Sequence, residues 1–223
     1  MSKHLQRELE KLKKRLLSLG ALVEERVRMA IKAIDLRDAD LAERIANSDY
    51  EIDESEVEVE EECLKIMALY QPVAVDLRFL TAVIKINNDL ERIGDEAVNI
   101  AQRVRVMAKG ERLDVPIDFS EMTEKTATML KESLDALVNL DLDLAVQVCV
   151  MDDEVDEFKD KTYDVVKEAI HKNPDRVGYL INLLLISRHL ERIADHATNI
   201  AEEVVYLIEG EIVRHGRLGT ESQ

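Results

Sequence analysis

Apolar side chains recur along this chain at helical spacing. Ile86, Leu90, Ile93, Ala97, Ile100, Val104 and Met107 step alternately by four and three, the rhythm of a helix that buries one stripe against a neighbour. Ile186, Leu190, Ile193, Ala197, Ile200, Val204 and Leu207 repeat it with the same steps. Both stripes read as core. The breakers divide the rest. A first helix, capped by Ser2, extends to about Arg37. A second, capped by Asp38 or Asp40, runs unbroken to about Tyr70, where Gln71 and Pro72 end it because proline cannot continue the hydrogen-bond ladder. A third covers 75–109 and stops at Gly110, a residue suited to the position just past a helix. Ser120, with Thr123 and Glu124, opens a fourth that ends near Asn139. A fifth starts at Asp141 or Asp143 and ends near Lys172; residues 173–175 turn the chain; a sixth reaches Glu209 before Gly210.

The shared rhythm is an internal repeat. Residues 89–101 read DLERIGDEAVNIA and residues 189–201 read HLERIADHATNIA, with 9 of 13 positions identical at an offset of 100. Upstream, DYEIDE at 49–54 matches DDEVDE at 152–157 at an offset of 103. The expected architecture is all-α: two tandem, similar three-helix bundles built from six long helices. The first repeat spans 1–110, a linker with Pro116 spans 111–118, the second repeat spans 119–210, and 211–223 is a tail of low apolar content expected to fray.

Composition narrows the chemistry. The chain has 223 residues, with 7 Gly and 3 Pro, too few for a sheet protein rich in tight turns. Its 47 acidic against 30 basic residues give a formal charge of −17, a surface that repels phosphate backbones and suits cations or a basic partner. No P-loop, GxGxxG or GxSxG occurs. Cys63 and Cys149 are far apart and fit a reducing compartment. The N-terminus is dense in charge and is not a secretory signal, and the longest apolar run, about 179–186, is too short to span a bilayer. The chain reads as cytoplasmic.

Four pairs of acids spaced i, i+4 stand out: Asp49/Asp53, Glu91/Asp95, Asp152/Asp156 and Glu191/Asp195. Spacing alone decides nothing, because so acidic a chain contains about ten such pairs by chance and each can be a solvated helix face. Their placement says more. The midpoint of Asp49/Asp53 lies 21 residues before Pro72 and that of Glu91/Asp95 lies 21 after it; in the second repeat the arms around Pro174 are 20 and 19. Antiparallel helices joined by a short turn would therefore hold both pairs of each repeat at one height. Such a cluster needs protons, hydrogen bonds or cations to relieve its repulsion. Oxygen ligands suit Mg²⁺, Ca²⁺ or Mn²⁺, and carboxylates also bridge iron or zinc. On an ideal wheel Glu91 and Asp95 lie opposite the seam, so the site opens to the surface. Arg92 and Arg192 could clamp a carboxylate or a neighbouring helix, and Asn99 and Asn199 could support the site or the packing. Gly94 and Ala194 suit a close helix crossing. His189 and His196 read as partly buried structural histidines, since the first repeat has Asp89 and Glu96 in their places.

The segments NNDLERIGDEAVNIA (87–101) and SRHLERIADHATNIAEEV (187–204) closely resemble the PhoU family, and the likeness covers nearly the whole chain. It implies a cytoplasmic regulator of phosphate uptake rather than an enzyme. Such a protein acts with the ATPase subunit of the phosphate-specific ABC transporter and with a sensor histidine kinase, and holds the phosphate-starvation response off when phosphate is plentiful. It also implies that (E/D)xxxD motifs carry multinuclear iron or zinc: Asp49, Asp53, Glu91 and Asp95 in one cluster, Asp152, Asp156, Glu191 and Asp195 in the other. The spare apolar seams of so long a bundle suit a homodimer.

Two other readings compete. An accessory protein of a different phosphate permease would share the architecture. A di-metal carboxylate oxidoreductase would need histidines three residues after the bundle glutamates, where this chain has Gly94 and Ala194.

Overall fold

The computed structural model describes residues 3–48 and 50–210. Ser2, Asp49 and the tail at 211–223 lie outside them. The chain forms α1 (Lys3–Leu36), α2 (Ala39–Ala46), α3 (Tyr50–Tyr70), α4 (Val75–Ala108), α5 (Ser120–Asn139), α6 (Leu142–Lys172) and α7 (Val177–Glu209), with a single 3₁₀ turn at Pro174–Arg176 before α7. Among the described residues there are six long helices and no strand. No described helix is long and apolar enough to cross a membrane.

One expectation needs correcting. The second predicted helix is broken at residues 47–48 into α2 and α3. Asn47 and Ser48 favour local side-chain-to-backbone bonds over helix continuation. The Ser48 hydroxyl donates to the Arg44 carbonyl at 2.9 Å and also reaches the Ile45 carbonyl at 3.2 Å. Arg26 of α1, almost wholly buried, donates to the Ser48 carbonyl at 3.0 Å and pairs with Glu51 at 3.3 Å. A break that would strand backbone carbonyls in the interior is thereby satisfied. It also places Glu51 and Asp53 in the first turn of α3, where the helix dipole favours negative charge.

The other ends follow local chemistry. Asp38 caps α2 and Asp141 caps α6, each accepting a backbone N–H from three residues on. Gly210 closes α7 at φ 80, in the left-handed region glycine enters at low cost.

The core is the pair of seams. Ile86, Leu90, Ile93, Ala97 and Ile100 of α4 are fully buried, as are Leu190, Ile193, Ala197, Ile200 and Val204 of α7. Each buried Leu or Ile contributes roughly 1.5–3 kcal/mol. The α4 and α7 helices pack on each other along most of their length. They are antiparallel: Lys85 pairs with Glu203, Asp89 with His196, and Glu96 with His189. Around this axis α1, α2 and α3 complete one half, α5 and α6 the other, and α1 also contacts α5.

Candidate carboxylate sites and the helix pair between them

In the second half α6 runs unbroken through Asp152 and Asp156, and α7 carries Glu191 and Asp195. The charges of the four acids reach one another across the two helices. Asp195 is exposed, yet the protein atoms packed around it desolvate its carboxyl and, followed by the charges of Glu191, Asp152 and Asp156, push it up to about 6. Burial, then Asp156, raises Asp152 as well. The Lys159 ammonium stands between the two helices, 2.7 Å from Asp156 Oδ1 and 3.0 Å from Glu191 Oε1. On its other side the cluster opens onto a cleft of about 1210 Å³ whose walls include Lys85, Asp89, Asp152, Arg192, Asp195 and His196.

In the first half Glu91 and Asp95 of α4 face Asp53 of α3. Burial is the main cause raising both carboxyls; Asp95 and Asp53 add to it at Glu91, and Asp53 adds to it at Asp95, against the opposing charge of Arg92. Arg92 lies 3.4 Å from Glu91 and 3.9 Å from Asp95, flanking them on their own helix with half its side chain in solvent. Asp53 is exposed, whereas Glu91 is half-buried. That enclosure exceeds the open surface expected from the wheel, and Gly94 accounts for it. A Cβ there would sit 2.9 Å from the tip of the Ile52 side chain, so the missing methyl lets α3 lie close to α4 without moving Ile52.

Glu56 and Lys159 were not singled out from the sequence. Each lies three residues past the second acid of its pair, and the 103-residue register that aligns Asp53 with Asp156 also aligns them. The Glu56 carboxyl is raised by burial, then by Glu60 and Asp53, and accepts the Asn87 amide at 3.2 Å.

Between the clusters, each histidine of α7 pairs with a carboxylate of α4. His189 Nδ1 lies 2.6 Å from Glu96 Oε2 and His196 Nδ1 lies 2.8 Å from Asp89 Oδ1. Each bonds the residue that replaces the other histidine one repeat earlier, so the two pairs are related by the pseudo-twofold symmetry of α4 and α7. Arg192 clamps Glu96 across the same interface at 2.8 Å. Asn199 donates to Asp89 at 3.2 Å and Asn99 to Glu96 at 3.5 Å, so both amides support the interface rather than the paired acids. Burial works to raise Glu96, but His189, Arg192 and Asn99 outweigh it and hold the carboxyl below its usual range.

The PhoU domain model matches twice, over residues 16–104 and 119–204. The chain belongs to the PhoU domain family. A PhoU homologue from Pseudomonas aeruginosa, a phosphate-specific transport system accessory protein, is 37% identical over 217 residues, covering 96% of this chain and 89% of that protein. The corresponding homologue from Aquifex aeolicus is 38% identical over 94% of this chain and 95% of its own. The crystal structure of PhoU from Pseudomonas aeruginosa superposes with a TM-score of 0.89 at 36% identity, covering 92% of this chain and 99% of that one. The phosphate transport system regulatory protein PhoU from Streptococcus pneumoniae gives 0.84 at 32% identity over 95% of this chain and all of its own. These PhoU proteins are named as accessory and regulatory proteins, not as enzymes.

The site chemistry agrees with that class. Burial pushes both thiols, Cys63 and Cys149, up to about 12, which keeps them protonated and poor as nucleophiles. The paired acids of this chain offer oxygen donors from two facing helices, and their carboxyls are raised first by burial and then by one another's charge. As the described side chains stand, no three acids, histidines or cysteines gather closely enough to hold one ion.

Proposed function

We propose that this chain is a cytoplasmic regulator of phosphate uptake that works by contact rather than by catalysis. It docks on the ATPase subunit of the phosphate-specific ABC transporter and on a sensor histidine kinase, and so keeps the phosphate-starvation response off when phosphate is plentiful. The observation that carries this reading is the double PhoU match over both halves, joined to relatives named for the phosphate-specific transport system. Exposed apolar side chains at the α3–α4 turn, Leu69, Val73 and Val75, support a protein partner. The strongly acidic surface favours a partner with basic patches.

The same reading assigns the paired acids to cations: Asp49, Asp53, Glu91 and Asp95 in the first half, Asp152, Asp156, Glu191 and Asp195 in the second. A bound cation would neutralise and cross-link the helices that carry them. The Asn87 amide on Glu56 ties α3 to α4 and Lys159 on Glu191 ties α6 to α7, and the surface of each hairpin is what a partner meets.

The test is binding of the purified chain to the ATPase subunit, measured by co-purification and by titration. Saturable binding is expected. Binding to a single-chain phosphate permease instead would favour the other accessory role, and binding to neither would remove the docking claim.

A further inference from the structure

An apolar groove lies at the end of the bundle where α7 finishes. It has a volume of about 130 Å³, and its walls include Leu17 of α1, Val75 and Phe79 of α4, Leu140 past α5 and Leu207 of α7, together with the charged Lys13. Val75 and Leu140 are 67% and 53% exposed, so the groove leaves in water apolar area that a further aliphatic side chain would cover.

The chain itself leads there. Leu207 stands one turn before Gly210, and Gly210 turns the backbone out of α7 at φ 80. Gly210 also lies against the start of α4: a Cβ on it would fall 2.8 Å from Arg78 Cζ, and Arg78 is three residues past Val75. The backbone therefore leaves α7 beside one wall of the groove. Residues 211–223, which continue it, lie outside the described residues.

Their sequence, EIVRHGRLGTESQ, matches the groove. It has one pair of adjacent apolar residues, Ile212 and Val213, two and three past Gly210. An extended chain advances about 3.3–3.6 Å per residue, so Val213 can reach roughly 10 Å from Gly210. Leu207 lies only about 4.5 Å back along the helix axis. Glu211 comes first and brings a carboxylate to Arg78, its opposite in charge. So short a tether sets an effective concentration of order mM, at which two aliphatic side chains suffice.

We propose that Ile212 and Val213 fold back into this groove and cover its Val75 wall. Val75 belongs, with Val73 and Leu69, to the exposed turn that supports a protein partner. The strap so formed competes with that partner, and this second step rests on the docking reading above.

The chain has no tryptophan, so Val213→Trp in the full-length protein supplies a single indole reporter. Its emission is expected to be blue-shifted, weakly quenched by acrylamide and independent of protein concentration. Val75→Asp and Leu140→Asp open the groove at little cost to the fold: an acid suits the start of α4, and aspartate tolerates the left-handed backbone at Leu140, φ 51. Each is expected to return the emission to that of a solvated indole, with thermal melts verifying the fold. A solvated indole in Val213→Trp alone, or shelter that neither aspartate removes, would overturn the seat. Shelter that grows with protein concentration would assign the groove to a second copy and overturn it equally. In the native background, Ile212→Ser with Val213→Ser is expected to tighten binding to the ATPase subunit several-fold. Equal affinity beside a sheltered indole would overturn the competition and keep the seat. Binding by neither chain would overturn the docking reading, on which the indole result does not depend.

Discussion

His189 and Glu96 join the two halves of this chain across their central helix pair, Nδ1 to Oε2 at 2.6 Å. The pair is one of two. Exchanging the repeats converts it into Asp89 and His196, which bond at 2.8 Å. A duplicated sequence has acquired a histidine facing a carboxylate at both of the positions that meet when its copies pack antiparallel. Pairing of one copy with the other is thereby favoured, because like would otherwise face like at both positions.

Removing the anchor of that network should be costly. Glu96 is almost wholly buried and holds His189, Arg192 and Asn99. Glu96→Ala is expected to lower unfolding free energy by about 1–3 kcal/mol, because it leaves polar partners without their acceptor. Urea denaturation measures the loss, and a double-mutant cycle with His189→Ala should show a coupling of about 0.5–3 kcal/mol. Since Glu96 is held below its usual range, its contribution is present at neutral pH and is lost as pH falls through its native value.

Asp195 should behave in the opposite sense. Its carboxyl is raised to about 6 in the folded state, so folding opposes its ionisation. Its favourable contribution is present below the ordinary carboxylate value and is lost as pH rises through about 6. In chelator-treated protein, Asp195→Asn is expected to raise the melting temperature at pH 7.5 and to have little effect near pH 4. Melts across that range check it; an equal change at both ends would mean that ionisation of the carboxyl is not the cause.

The seams, the repeat and the paired acids were legible in the sequence, because each is a periodicity or a register and helices obey both. The break at residues 47–48 was not, since the apolar pattern continues through it; what permits it is Arg26, brought from α1 by tertiary packing. The His–carboxylate pairs were hidden for a related reason. They join residues more than 90 positions apart, and only the antiparallel crossing of α4 and α7 reveals that each histidine faces the other's counterpart. Lys159 was readable in principle, once the register set by Asp53 and Asp156 is carried three residues further. Asp49 lies outside the described residues, so the first cluster is drawn here without it.

Gly94 was legible as a small residue and is explained by what it admits. Gly94→Ala gains about 1 kcal/mol of helix propensity but puts a methyl 2.9 Å from the tip of Ile52, a flexible group that can shift. The net change in stability should be small. Gly94→Leu has no such escape and is expected to destabilise by about 1–3 kcal/mol through overpacking as α3 is pushed from α4. Denaturation curves for the two variants separate these effects.

The central claim is that this chain keeps the phosphate-starvation response off. Its most direct measurement is a phosphate-starvation reporter in a strain lacking the chain, grown in abundant phosphate with and without the gene restored. Constitutive reporter expression in the deletion, silenced on restoration, is the predicted result. Normal repression without the chain would contradict the account.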